Sequence, residues 1–237
     1  MKKTLLFLFC ASLMLASCDK DNRCIRGDGS TITQTRTATG FHNIDLNGSY
    51  DVLISQDSVY SLTIEGEGNV LERITTEVLD GTLKIDSKGC IKSHRAIKIR
   101  ISMPDLQMVE LNGSGDIRSN NTFVVNSDVF LVINGSGDMD FKIKTPKMLE
   151  TRINGSGDII IAGEADKQLL NITGSGDIHS FDLSAKTGEI KVDGSGNSEV
   201  NIAETMDVRI TGSGNVIYIG TPSMEVNISG SGTVRRK

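Results

Sequence analysis

Asp116, Asp138, Asp158 and Asp177 recur 22, 20 and 19 residues apart, and Asn197, Asn215 and Thr233 continue the series. Each directly follows a Gly-Ser-Gly tripeptide. In a chain that returns to one place at that period, the four carboxylates would stand about 4.8 Å apart. Neighbours at that distance repel by roughly 0.9 kcal/mol in bulk water. Backbone N–H donors, raised carboxyl pKa values or bound cations must offset that cost. An all-oxygen column suits calcium, so Asp116, Asp138, Asp158 and Asp177 form a conditional calcium site beside the simpler reading as a run of exposed Asx turns. Gly-rich calcium rolls repeat about every nine residues, and this spacing does not match them.

Other chemistries find less support. Polysaccharide-cleaving β-helices use two or three carboxylates on adjacent coils. Here every clear copy carries the same Asp or Asn, and a catalytic site should break a repeat rather than follow it. His42, His94 and His179 share no motif. Gly-Ser-Gly lacks the Lys and helix of a phosphate loop, and no serine elbow, Cys–His pattern or zinc spacing is present. The expectation is therefore a protein that is not an enzyme and has no cofactor, calcium apart. A net charge of −5, with Arg235-Arg236-Lys237 as the main basic run, argues against a nucleic-acid groove. Aromatics are 4% of residues and Trp is absent, so stacking platforms for sugars are few. Regular Asn, Ser and Asp columns could still hydrogen-bond a glycan or a protein strand, or serve only as a spacer.

The element that positions these columns follows from the glycines. Gly-Ser-Gly occupies Gly113/Gly115, Gly135/Gly137, Gly155/Gly157, Gly174/Gly176, Gly194/Gly196, Gly212/Gly214 and Gly230/Gly232. The spacings are 22, 20, 19, 20, 18 and 18 residues, and Asn47-Gly48-Ser49-Tyr50-Asp51 is a degenerate upstream copy. Fixed-period repetition of this length signals a solenoid. Around the copies, apolar residues alternate with polar ones: Ile153, Gly155, Gly157, Ile159 and Ile161 share one parity, and Arg152, Asn154, Ser156 and Asp158 the other. Period two with β-branched residues means strand. About 20 residues fits one coil of a parallel β-helix, three short strands with turns between them. Both glycines of each pair are expected at inward corners with no room for a Cβ, where glycine also permits a positive φ.

Residues 31–105 are less regular but strand-like, with Asp51-Val52-Leu53-Ile54, Ser61-Leu62-Thr63-Ile64, Gly81-Thr82-Leu83-Lys84-Ile85 and Ala96 to Ile101 as the best segments. They either cap the solenoid, whose ends expose unpaired strand edges, or form degenerate early coils. Residues 106–237 carry the regular coils. At the start of the chain, Lys2-Lys3 and an apolar run to Leu15 precede Leu15-Ala16-Ser17-Cys18, which resembles the lipobox of bacterial lipoproteins. That resemblance implies a signal peptide over 1–17 and lipidation of Cys18. Residues 18–30 would then be the lipidated N-terminus and linker, with 31–237 as the solenoid domain. Removing the signal leaves 23 basic and 30 acidic residues, net −7. Cys10 departs with the signal, and Cys24 and Cys90 remain, either bridged or as two thiols.

Taken together, the chain resembles the "putative auto-transporter adhesin, head GIN domain" family. The residues concerned are Gly40-Phe41-His42-Asn43-Ile44, Asn47-Gly48-Ser49-Tyr50-Asp51-Val52, Thr63-Ile64-Glu65-Gly66, Asp80-Gly81-Thr82-Leu83-Lys84-Ile85 and the serial Asn-Gly-Ser-Gly-Asp-Ile copies. The resemblance implies a bacterial cell-envelope protein, lipid-anchored in the outer membrane, with a right-handed parallel β-helix, a handedness that crossover preference also favours.

Overall fold

A computed structural model of the chain describes residues 24–237. Signal peptide, lipobox and Cys18 lie outside the described residues. About 69% of the described chain is strand, and its helix is one of four residues, Gly68–Leu71.

Alternating polarity dictates the stacking. Leu111, Ile133, Ile153, Ile172, Val192 and Ile210 lie opposite one another in successive strands and are essentially fully buried. Each burial is worth about 1.5–3 kcal/mol, and shifting one strand by a residue would expose its whole column. The register is therefore held in step along the strands that lead into each Gly-Ser-Gly corner. Gly113, Gly135, Gly155, Gly174, Gly194, Gly212 and Gly230 also form one column, through parallel pairing at every step. The result is a β-solenoid of stacked parallel coils of about 20 residues, about six turns of them.

The strands differ from the sequence expectation in one respect. Asp116–Ser119, Phe123–Val124 and Val129–Gly135 are the three short strands expected of a coil. Beyond them, Asp138–Gly155, Ile159–Gly174, Ile178–Gly194 and Ser198–Gly212 are single strands of 15 to 18 residues. They bend around the coil and stay paired along most of their length, with bulges that absorb the differences in coil length. The ladder slips at bulges near Thr145–Met148, Ile160–Ala162 and Ser180–Thr187. Past its first glycine the Gly-Ser-Gly corner lies outside the strands, but it keeps backbone hydrogen bonds such as Ser156 N–H to the Gly135 carbonyl at 3.0 Å.

The N-terminal part does both things expected of it. Asn43–Asn47 and Asp51–Gln56 form a coil beneath the first regular one, with Asn47 opposite Asn112 and Asp51 opposite Asp116. Thr82–Ser87 and Lys98–Met103 form a coil beneath that, again parallel. The remaining strands run antiparallel and close the end. Ser61–Glu67 covers Lys98–Met103, and Thr31–Arg36 covers Ser61–Glu67. Ile74–Leu79 folds onto Thr82–Ser87 through Asp80 and Gly81, both at positive φ, as a two-residue hairpin turn requires. Cys24 and Cys90 are joined by a disulfide, and Ile25–Arg26 pairs with Ile91–Ser93 beside it. At the other end, Ser223–Gly230 pairs only with Ser198–Gly212. The inward residues of that coil, Met224, Val226 and Ile228, are 40–43% exposed.

Candidate functional site: the corner ladder and a lateral groove

The Asp column exists, and backbone donors hold it. The Asp158 N–H donates to Asp138 Oδ1 at 2.9 Å, and Asp177 N–H to Asp158 Oδ1 at 2.9 Å. Asn197 donates both its N–H and its Nδ2 to Asp177 Oδ1, at 2.6 and 3.0 Å. Asn215 treats Asn197 the same way, and the Thr233 hydroxyl ends the series on Asn215 Oδ1 at 2.6 Å. Asp116 instead faces Arg118 at 3.5 Å. Each coil thus satisfies the carboxylate or amide below it, which is the first of the three offsets the sequence demanded. Among the described residues, no group of three or more His, Cys, Asp or Glu side chains is gathered to hold a metal ion. In the column that suggested calcium, Asp138, Asp158 and Asp177 accept hydrogen bonds from the next coil, and Asp116 faces Arg118.

A second ladder runs on the other side of the corner. Asn112 donates to Asp45, Asn134 to Asn112 and Asn154 to Asn134, at 2.8 to 3.1 Å. Further along, Lys191 hydrogen-bonds Asp193 and holds its carboxyl below the usual carboxylate range. These polar columns face solvent but commit much of their hydrogen-bonding capacity along the stack.

The expectation that both glycines of a corner are alike needs correcting. The first ones, Gly113, Gly135, Gly155, Gly174, Gly194, Gly212 and Gly230, end their strands at positive φ and are not buried. The second ones, Gly115, Gly137, Gly157, Gly176, Gly196, Gly214 and Gly232, lie outside the strands and have no such φ. All of these but Gly232, in the last coil, are buried, so only the second set sits at the inward corner. The crowding also has a different source from the one expected, because the coil below causes it rather than the inside of the same coil. A Cβ on Gly155 would lie 2.0 Å from the carbonyl oxygen of Gly135, and one on Gly157 would lie 1.9 Å from that of Gly137. Gly115 meets the carbonyl oxygen of Tyr50 in this way at 2.3 Å, and Gly176 that of Gly157 at 2.0 Å. Gly196, Gly214 and Gly232 meet those of Gly176, Gly196 and Gly214 at 2.1 to 2.2 Å. Tyr50 takes the second-glycine place in the degenerate copy, where its buried ring folds over Gly48.

The regularity breaks at the far side of the coil. There an open groove of about 670 Å³ runs along the stack, lined by Val124 and Val125, Lys144 to Pro146, Gly163 to Asp166, Ser184 to Lys186, and Ala203. Five coils contribute, a length of about 19 Å at strand spacing. Its floor is the column Thr145, Ala165 and Ala185, small residues opposite one another. Gly163 joins the floor because a Cβ there would meet the Ile143 carbonyl oxygen at 1.9 Å. The rim carries two ion pairs between adjacent coils, Lys144 to Glu164 at 2.6 Å and Lys186 to Asp166 at 2.7 Å. The hydrogen bond and charge of Asp166 raise the Lys186 pKa. None of the lining residues is aromatic.

The sequence reading did not find this groove. Its signal was present as small residues recurring midway between corners, at Thr145, Ala165 and Ala185, but no tripeptide marks them. The three histidines remain apart: His42 lies at the Asp80-Gly81 turn, His94 bonds the carbonyl of Arg95, and His179 pairs with Glu199 at 3.0 Å.

Known proteins agree with this architecture. The family model described as "putative auto-transporter adhesin, head GIN domain" matches residues 40–222, and the chain belongs to that family. A crystal structure titled a putative adhesin from Bacteroides fragilis is 25% identical with a TM-score of 0.84, over 90% of this chain and all of its own. One titled a putative lipid binding protein from Parabacteroides distasonis is 25% identical with a TM-score of 0.78, over 91% of this chain and all of its own. A putative adhesin from Parabacteroides merdae shares the fold at 22% identity and a TM-score of 0.69, over 90% of this chain and 98% of its own. No curated protein matches the chain. The family name points to the cell surface or envelope, and neither it nor these titles names an enzyme. Among the described residues, no helix is long and apolar enough to cross a membrane.

Proposed function

We propose that this chain is a non-catalytic binding module of the cell envelope, held at the outer membrane by lipid on Cys18, with the lateral groove as its ligand site. The groove carries the reading, because there the repeated surface gives way to a concave one that five coils share. Its rim pairs are exposed and worth at most about 1 kcal/mol each, so a ligand group can replace either partner at little cost. Charges of both signs above a floor of small side chains suit an extended polypeptide. The absence of aromatic rings disfavours a sugar ring stacked flat on the wall.

Glu164 and Asp166 are the groove's carboxylates, and each is engaged by a lysine. The test is a panel of immobilised matrix proteins and glycans probed with the mature chain, alongside turnover assays on uronic-acid polymers. Saturable binding without turnover is expected. Clean negatives across the panel would favour a structural spacer, and turnover would establish an enzyme.

A further inference from the structure

Five described cations lie on or next to the disulfide-linked loop, and none of them pairs with a described carboxylate. Lys88 to Arg95 is a stretch of eight residues with Lys88, Lys92 and Arg95, a histidine and no carboxylate, in a chain whose net charge is −5. The disulfide and the pairing of Ile25–Arg26 with Ile91–Ser93 bring Arg26 to the same loop. Arg73 joins them, since its carbonyl accepts the Lys88 N–H at 2.8 Å. Lys88, Lys92, Arg95 and Arg26 are exposed. None of the five forms an ion pair with another described residue.

Three nearby carboxylates accept backbone N–H groups, and Glu72 beside Arg73 is exposed. Glu67 is buried beneath the loop, where it accepts the N–H of Gly29 at 2.6 Å and of Arg95 at 2.8 Å, and so fixes the loop's shape. Asp28 and Asp86 accept the N–H of Ser30 and Ser87. Exposed cations held together without partners repel one another, and an anionic surface relieves that repulsion.

Position identifies the surface. The loop sits at the capped end of the solenoid. Only five residues separate Cys24 from Cys18, two acidic and two basic among them, so they add no net charge. Fully extended, that connection reaches about 21 Å. We infer that the disulfide-bound basic loop, Arg26, Arg73, Lys88, Lys92 and Arg95, rests on the anionic phosphates of the membrane that carries the anchor. The contact directs the capped end toward the lipid and the groove and open coil away from it. This inference rests on the proposed anchor at Cys18.

The test removes the anchor so that the two can fail separately. The chain from residue 18 onward carrying Cys18→Ser keeps every described residue and is mixed with vesicles of phosphatidylcholine, alone or with phosphatidylglycerol. Sedimentation is expected only with the anionic vesicles, and is lost in high salt. Lys88→Gln, Lys92→Gln and Arg95→Gln should each weaken it about fivefold, while Lys142→Gln on a regular coil leaves it unchanged. Equal binding to both vesicles, no binding to either, or insensitivity to the three loop substitutions would overturn the inference. Mass measurement of the mature N-terminal peptide reads lipidation of Cys18 independently.

Discussion

At each corner the coil below excludes a side chain from both glycines, the first adds a positive φ, and single substitutions separate the two effects. Gly155→Ala combines an unfavourable φ with a clash, whereas Gly157→Ala at an ordinary φ meets only the Gly137 carbonyl oxygen. Backbone cannot yield as a flexible side chain can, so Gly157→Ala is expected to destabilise by about 3 kcal/mol in denaturant titration. A cost below about 1 kcal/mol would mean that the coils can separate locally. The Asp ladder makes a sharper demand. Asp158→Asn keeps the Oδ1 acceptor, as Asn197 and Asn215 do naturally, and should be neutral or slightly stabilising because a like charge leaves the column. Asp158→Ala strands the Asp177 N–H and should cost about 1 kcal/mol. Equal effects of the two would remove the ladder's hydrogen bonds from the account. Much at this scale was legible in the sequence, since the tripeptide and its following Asp announce both crowding and turn. The direction of the crowding was not, because it depends on the coil below, 20 residues away in the chain.

At the scale of the element, period-two alternation read the coils correctly, and the continuation of strand around the bends was hidden. No residue type marks a bend that neighbouring coils share. The order of the coils was hidden too. Residues 43–56 lie between residues 82–103 and 108–119, an insertion decided by long-range pairing that local pattern does not encode. Tyr50 marks this junction. Burial, helped by the charge of Asp86 and opposed by a hydrogen bond to Ser87, raises its pKa above 10.0. The folded chain then keeps a proton that the unfolded chain loses, so Tyr50's contribution is complete below about pH 10 and falls as pH rises further. Tyr50→Phe is expected to lose less stability than the native chain between neutral pH and pH values above 10, as measured by thermal unfolding. Parallel pH profiles would show that the ring is solvated at this corner.

On the scale of the whole molecule, the antiparallel cap and disulfide occupy one end, and a coil with an unpaired edge occupies the other. From the coil of residues 82–103 to the last one is eight strand steps, about 38 Å. The groove lies on the side between them, opposite the corner that the sequence made conspicuous. The repeat directed attention to the Gly-Ser-Gly face, whose polar atoms are largely committed to the stack, while the concave face is built from unremarkable Thr, Ala and Ser. Two exposed serines distinguish these faces. Ser184→Trp would fill the groove, and Ser156→Trp would obstruct the corner ladder, neither disturbing the buried columns. Affinity for whichever panel ligand binds the mature chain should fall at least tenfold in Ser184→Trp and stay unchanged in Ser156→Trp, with both variants melting as the native chain does. Loss of binding in Ser156→Trp alone would contradict the assignment of the groove and return recognition to the ladder.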